Sequence, residues 1–271
     1  MPQKAFFDTQ ISTMVSDGRI EPSVWERVLS GMKSKFGYSL SFTTFIELLA
    51  ALAGGDEANF VANRKRLLVL TGVPDCEFLP MPADFLRERL FRLPPLRTEF
   101  VPSALQNEWM PIIKAAKSKH ELSQAGVPVG SVYGGINLAL VRMQAKNGEE
   151  LWVKELGLAK HGTKGMPSLN LYAEFILNFN LRAETTSENI RSVAAALDAA
   201  YCYLAQVHHE STKSTYRFDN HPQDWMDNQQ LMYLADLDYT FVTLDGPLIS
   251  KLRKSTQRRQ VQEFNKFAAN L

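Results

Sequence analysis

The chain predicts an α/β fold, a parallel sheet flanked by helices, on three observations. Short apolar runs end in an acid, as in KAFFD at residues 4–8 and YTFVTLD at residues 239–245. Segments with apolar residues at helical spacing alternate with such runs up to about residue 94. The composition, 45% hydrophobic and 22% charged over 271 residues, is that of a globular chain able to bury a sizeable core. Strand and helix alternating in this way build a parallel sheet covered on both faces.

Taken in order, Ala5, Phe6 and Phe7 read as a short buried strand that ends at Asp8. A turn at Asp17 and Gly18 precedes a helix from about Pro22, whose Trp25, Val28, Leu29 and Met32 share a face. A strand over residues 38–43 passes into a helix that carries Glu47 in its first turns and closes at Gly54 and Gly55. Residues 56–71 form the next helix, with Phe60, Leu67, Leu68 and Leu70 available for burial. CEFLP offers a third strand, and PADFLRERLFRL a short helix that ends before Pro94 and Pro95.

Beyond these prolines the alternation stops. Residues 103–125 read as helical, AGVPVGSVYGGI as a Gly- and Pro-rich break or loop, and residues 136–158 as helical on both sides of Asn147 and Gly148. HGTKGMPS is a loop, and from the N-cap Ser187 a single long helix rich in Ala and Leu is expected. A helix starting near Asp227, a link at residues 236–238 and a strand over 239–244 complete the sheet. Residues 1–94 and 222–271 therefore read as one α/β domain, and residues 95–221 as a mostly helical insertion or cap.

Composition excludes several classes. No apolar run approaches the ~20 residues that span a bilayer, so no membrane association is expected. The first residues enter a core strand directly, leaving no room for a signal peptide. Cys76 and Cys202 are far apart and outside any CxxC pair, so both read as small apolar residues and the compartment as a reducing cytoplasm. A net charge of +1 provides no global field toward nucleic acid. Local charge differs: KLRKSTQRR places Lys251, Arg253, Lys254, Arg258 and Arg259 just after Asp245 with no acid among them. That run reads either as a phosphate-contacting patch or as the solvated face of a terminal helix. Arg64, Lys65 and Arg66 form a weaker second run.

Four acids, Asp8, Glu47, Asp227 and Asp245, each stand where a strand ends or a helix begins. The carboxyl ends of strands are where open α/β sheets bind ligands. Carboxylates gathered there repel one another and call for cations, and Mg²⁺ or Mn²⁺ suits their hard oxygens. Each acid also has a plain structural role open to it, as a helix cap or a turn residue. His208 and His209, adjacent on a helix and so pointing about 100° apart, read as a helix-end feature, while His221 lies six residues before Asp227. Trp109, Trp152, Tyr201 and Tyr203 read as core rather than as stacking platforms.

FFDTQ near the start, SLSFTTFIELLAAL around the second acid, and Asp227 followed eighteen positions later by Asp245 in FVTLD together resemble the PIN-domain nucleases, which are mostly metal-dependent ribonucleases. The resemblance covers residues 1–80 and 222–271. It implies a PIN-like fold and a hydrolytic endoribonuclease in which Asp8, Glu47, Asp227 and Asp245 hold two Mg²⁺ or Mn²⁺ ions, leaving 5′-phosphate and 3′-hydroxyl ends. Thr9 and Thr243 would support the carboxylates or the scissile phosphate. By family habit it also implies a toxin or defence role, an antitoxin-like or other protein partner, and a homodimer. The chain departs from the family pattern at Gln10, where a small polar residue is more usual, in the surplus of residues 95–221, and at Asp224, which stands one turn before Asp227 and competes with it as the third acid. A rival from another class is a PIN-like binding or scaffold protein that acts through its insertion and no longer cuts. A structure-specific DNA nuclease would need a larger basic surface.

Overall fold

The computed structural model of the protein describes residues 3–54, 57–73, 75–96, 107, 109–124, 132–133, 136–137, 168–211 and 224–271. It opens with β1 (Lys4–Phe7), α1 (Thr9–Ser16), α2 (Pro22–Lys35), β2 (Gly37–Leu40), α3 (Phe42–Gly54), α4 (Glu57–Thr71), β3 (Glu77–Phe78) and α5 (Pro82–Phe91). Two short helices follow, α6 (Met110–Ala115) and α7 (Lys119–Gln124), then β4 (Val132–Tyr133) and β5 (Ile136–Asn137), paired antiparallel, so that Ile136 and Asn137, expected to begin a helix, are in a strand. Next come α8 (Leu169–Phe175), continued by a π-helical stretch over Ile176–Leu181, then α9 (Ser187–Ala196) and α10 (Asp198–Ser211). The chain ends with α11 (Asp224–Leu231), β6 (Tyr239–Thr243), α12 (Gly246–Lys251), β7 (Val261–Glu263) and α13 (Phe264–Ala269). The loop expected over 161–167, the helices expected over 138–158, and Trp152 and His221 lie outside the described residues. Among the described residues no helix is long and apolar enough to cross a membrane.

Five strands form one parallel sheet in the order β3-β2-β1-β6-β7. The fold is therefore α/β, with helices on both faces. The side-chain period of two sorts the strands into two cores. Ala5, Phe7, Tyr38, Leu40 and Val242 point to one face, where Val28, Phe45, Phe60, Leu67 and Phe267 cover them. Phe6, Tyr239 and Phe241 point to the other, under Val193, Leu197, Tyr203, Tyr233 and Leu248. Phe6 stacks on Phe241 with ring centroids 5.0 Å apart, and Phe85 meets Tyr233 edge to face at 5.0 Å. Helices from residues 169–211 thus form the covering layer of the second face. Their buried residues share one core with that face of the sheet.

Several elements differ from the sequence expectation. The strand β7 and the helix α1 carry no periodic signal long enough to read. The basic run 251–259 is not one helix face: α12 stops at Lys251, and Ser255 caps a separate 3₁₀ turn over Thr256–Gln260. The single long helix expected from Ser187 is two helices, broken at Leu197. The cause is tertiary. The buried Gln257 amide inserts at the break, accepting from the Ala199 N–H at 2.7 Å and donating to the Ala196 carbonyl at 3.1 Å. The Asp198 carboxylate, in turn, accepts from the Ser255 hydroxyl and the Thr256 N–H, both at 2.7 Å. A side chain from the far end of the sequence thus stands in for helical hydrogen bonds at the break.

Gln257→Leu strands the Ala199 N–H and the Ala196 carbonyl in the core, so urea unfolding should show a loss of about 2–4 kcal/mol, whereas a loss below about 0.5 kcal/mol would mean that the break stands without the amide.

Candidate functional site

The pairing of β1 with β6 sets the site. Phe7 lies opposite Val242, so the two strands end side by side and Asp8 leaves the sheet next to Thr243. The Thr243 hydroxyl donates to Asp8 Oδ2 at 2.6 Å and accepts from the Asp245 N–H at 2.9 Å. Both acids also cap helices. Asp8 Oδ1 accepts from the Gln10 N–H at 3.3 Å at the start of α1, and Asp245 Oδ1 accepts from the Leu248 N–H at 2.9 Å at the start of α12.

Glu47 is brought to the same edge by α3. Ser41 accepts from the Thr44 N–H at 3.0 Å, and the Thr44 hydroxyl donates to the Phe7 carbonyl at 3.2 Å. That bond fastens the helix start to the end of β1. One turn later Glu47 receives a hydrogen bond from the Thr9 hydroxyl.

Asp224 and Asp227 stand one turn apart on α11, with the Tyr203 hydroxyl 2.7 Å from Asp224 Oδ1 and 3.0 Å from Asp227 Oδ2. Asp224 is ion-paired with Lys251, whose Nζ lies 3.7 Å from Asp224 Oδ1 and 3.6 Å from Glu210 Oε2. Asp227 is the acid whose charge is coupled to Asp8, Glu47 and Asp245. The two candidates for the third position therefore do different things.

The electrostatics follow from burial and convergence. Burial pushes the Glu47 carboxyl up to about 7, with the Asp8 charge adding to the effect and the Thr9 hydrogen bond opposing it. Burial pushes Asp227 up to about 8, and repulsion from Asp8, Glu47 and Asp245 adds to that. Asp8 is raised as well, by burial first, against the lowering effect of its Thr243 and Gln10 hydrogen bonds. Tyr203 is held protonated by burial and by its two flanking carboxylates. A hydroxyl has one proton to give, so it can donate to only one of these carboxylates at a time.

Among the described residues no group of three Asp, Glu, His or Cys side chains lies close enough together to hold one metal ion. The chemistry of the set nevertheless fits a hard divalent cation: carboxylate oxygens alone, with Asp8, Glu47 and Asp227 raised by burial and by neighbouring acids. Asp8, Glu47, Asp227 and Asp245 are the residues that would hold it.

A groove of about 1010 Å³ opens over Asp227 and Asp245 and runs between α10 and α12, with Lys251, Arg253 and Lys254 on its border. Arg258 and Arg259 are not in its lining, and Arg258 donates to the Val261 carbonyl at 2.6 Å. The other basic run is absorbed by the fold. Arg64 bonds the Ile113 and Lys114 carbonyls, Lys65 the Ser16 carbonyl, and Arg66 pairs with Asp17. Tyr201, Cys202 and His209 line the groove, whereas Trp109 and Cys76 are buried.

Sequence reading missed two site residues, Tyr203 and Glu210. Their signal was available: Tyr203, Gln206 and Glu210 recur at helical spacing along one face of an otherwise Ala- and Leu-rich segment.

Stability should respond to pH through Glu47 and Asp227. Their folded pKa values lie above the ordinary 4.5 and 3.8, so the folded protein keeps protons that the unfolded chain has lost, and the stability this confers is complete below about pH 4 and lost as pH rises through 7 and 8. With the partial solvent exposure of both groups allowed for, urea unfolding in EDTA should weaken by about 2–4 kcal/mol between pH 5 and pH 8.5. The Glu47→Gln/Asp227→Asn variant should flatten the profile, and a flat profile in the unsubstituted protein would refute the desolvated cluster.

Comparison of the chain with protein-family models, curated proteins and solved structures gives no match, so the geometry of the carboxylates carries the functional assignment.

Proposed function

We propose that the protein is a Mg²⁺- or Mn²⁺-dependent endoribonuclease on a PIN-like sheet, with Asp8, Glu47, Asp227 and Asp245 as the metal-holding acids. One observation carries the reading: carboxylates from four separate segments gather at the carboxyl edge of a parallel sheet, Asp8, Glu47 and Asp227 are raised by burial and by neighbouring acids, and Asp227 and Asp245 line a groove that also carries basic residues. Stable placement of such a set at neutral pH calls for added positive charge. When bound, the divalent ions would activate a water and stabilise the leaving oxygen of an in-line displacement at phosphorus.

The chain's own groups do the rest. Thr243 orients Asp8, Thr9 orients Glu47, and the Asp245 carboxylate is held at its helix cap. Exposed Arg253 and Lys254 border the groove where a phosphodiester backbone would lie. A toxin or defence role, with an antitoxin-like partner and a homodimeric state, belongs to the same proposal and rests on the family resemblance alone, and a cytoplasmic location rests on the cysteine usage.

A second reading is favoured by the spacing of the acids. With no three of them within reach of one ion among the described residues, and with Asp8 and Asp245 serving as helix caps, a PIN-like binding module that does not cut fits as well.

Asn caps helices as well as Asp, so Asp8→Asn and Asp245→Asn spare the fold while removing the charge. Each variant should lose cleavage of a mixed RNA pool by at least about a hundredfold in Mn²⁺ or Mg²⁺, and EDTA should abolish it in the parent. Products with 2′,3′-cyclic ends would exclude the two-metal mechanism, and no cleavage in either metal would favour the binding module.

A further inference from the structure

We propose that Tyr203 is a positioning residue for Asp227, locked in place through Asp224 and Lys251, so that α10 belongs to the catalytic arrangement. This rests on the metal-dependent reading above. Three of the four acids receive a side-chain hydroxyl: Asp8 from Thr243, Glu47 from Thr9, and Asp227 from Tyr203 at 3.0 Å. The two threonines come from the segments that follow β1 and end β6. Tyr203 comes from within residues 95–221, the segment that the sequence reading set apart from the site.

Its geometry suits the task. The Tyr203 ring is 1% exposed and packed among the residues of the second core, so its two side-chain torsions are fixed by packing. The same hydroxyl lies 2.7 Å from Asp224, one turn before Asp227, so its single proton serves two points of α11 in turn. Asp224 is 3% exposed and needs a counter-charge. Lys251 supplies it, at 3.7 Å, while also lying 3.6 Å from Glu210 and 5.0 Å from the centre of the Tyr203 ring. Lys251 is thus engaged with three protein groups, which leaves Arg253 and Lys254, among the described residues lining the groove, available to a phosphate. Partners that orient a metal-holding carboxylate typically contribute 10–100-fold to metal affinity.

The test uses the full chain. A double-mutant cycle of Tyr203→Phe and Asp227→Asn, read by urea unfolding in EDTA, should depart from additivity by at least about threefold in the unfolding constant. Additive effects would overturn the proposal. In a titration with Mn²⁺ alone, Tyr203→Phe should weaken binding about tenfold or more, and Lys251→Gln should weaken it in the same direction. Unchanged affinity in Tyr203→Phe would also overturn it. Failure of the unsubstituted protein to take up Mn²⁺ would sink the nuclease reading instead, and the EDTA cycle would then decide by itself whether Tyr203 holds Asp227.

Discussion

The in-register parallel pairing of β1 with β6 is the constraint on which the site depends. It places Asp8 beside Thr243 across 235 positions of sequence and gives the Thr243 hydroxyl a carboxylate on one side and the Asp245 N–H on the other. From that point the chain leaves both strands through helix caps, so the two acids are aimed by backbone geometry as well as by the threonine. Thr44, bonded to the last carbonyl of β1, adds α3 and with it Glu47. A slip of β1 by one residue in this pairing would turn Phe6 to the wrong core and move Asp8 away from Thr243.

Gathering carboxylates in a desolvated place is costly, and the molecule answers with oriented hydroxyls more than with cations. Thr9, Thr243 and Tyr203 each donate to an acid, while Lys251 pairs with the neighbouring Asp224 and Glu210. Hydrogen bonds favour the charged forms, yet burial outweighs them, since Asp8, Glu47 and Asp227 all stay above their ordinary values. The site is therefore held in shape while its charge remains undercompensated. That imbalance is the physical ground on which a cationic cofactor is proposed.

Residues 169–211 link fold and site. A parallel sheet needs cover on both faces, and these helices bury Phe6, Tyr239 and Phe241 on the second one. The same layer projects Tyr203 and Glu210 toward Asp224, Asp227 and Lys251. Loss of the segment would thus expose an apolar sheet face and also release the third acid. Gln257 ties this layer to the C-terminal part of the chain by filling the break between α9 and α10.

Apart from α1, the sequence by itself determined the strand and helix alternation of the first 94 residues and the position of each acid at a strand end or helix start. Those are local properties, set by period, cap and turn chemistry within a few residues. It also supplied Asp224 and Asp227 without distinguishing them, since both sit on the same helix start. Only the tertiary structure decided that Asp224 pairs with Lys251 while Asp227 joins the other acids, that the helix expected from Ser187 bends at Leu197, and that Tyr203 reaches the carboxylates from a segment read as core. Each of these depends on which elements become neighbours in the folded chain, and that is settled by sheet order and by the fit of buried faces far apart in sequence.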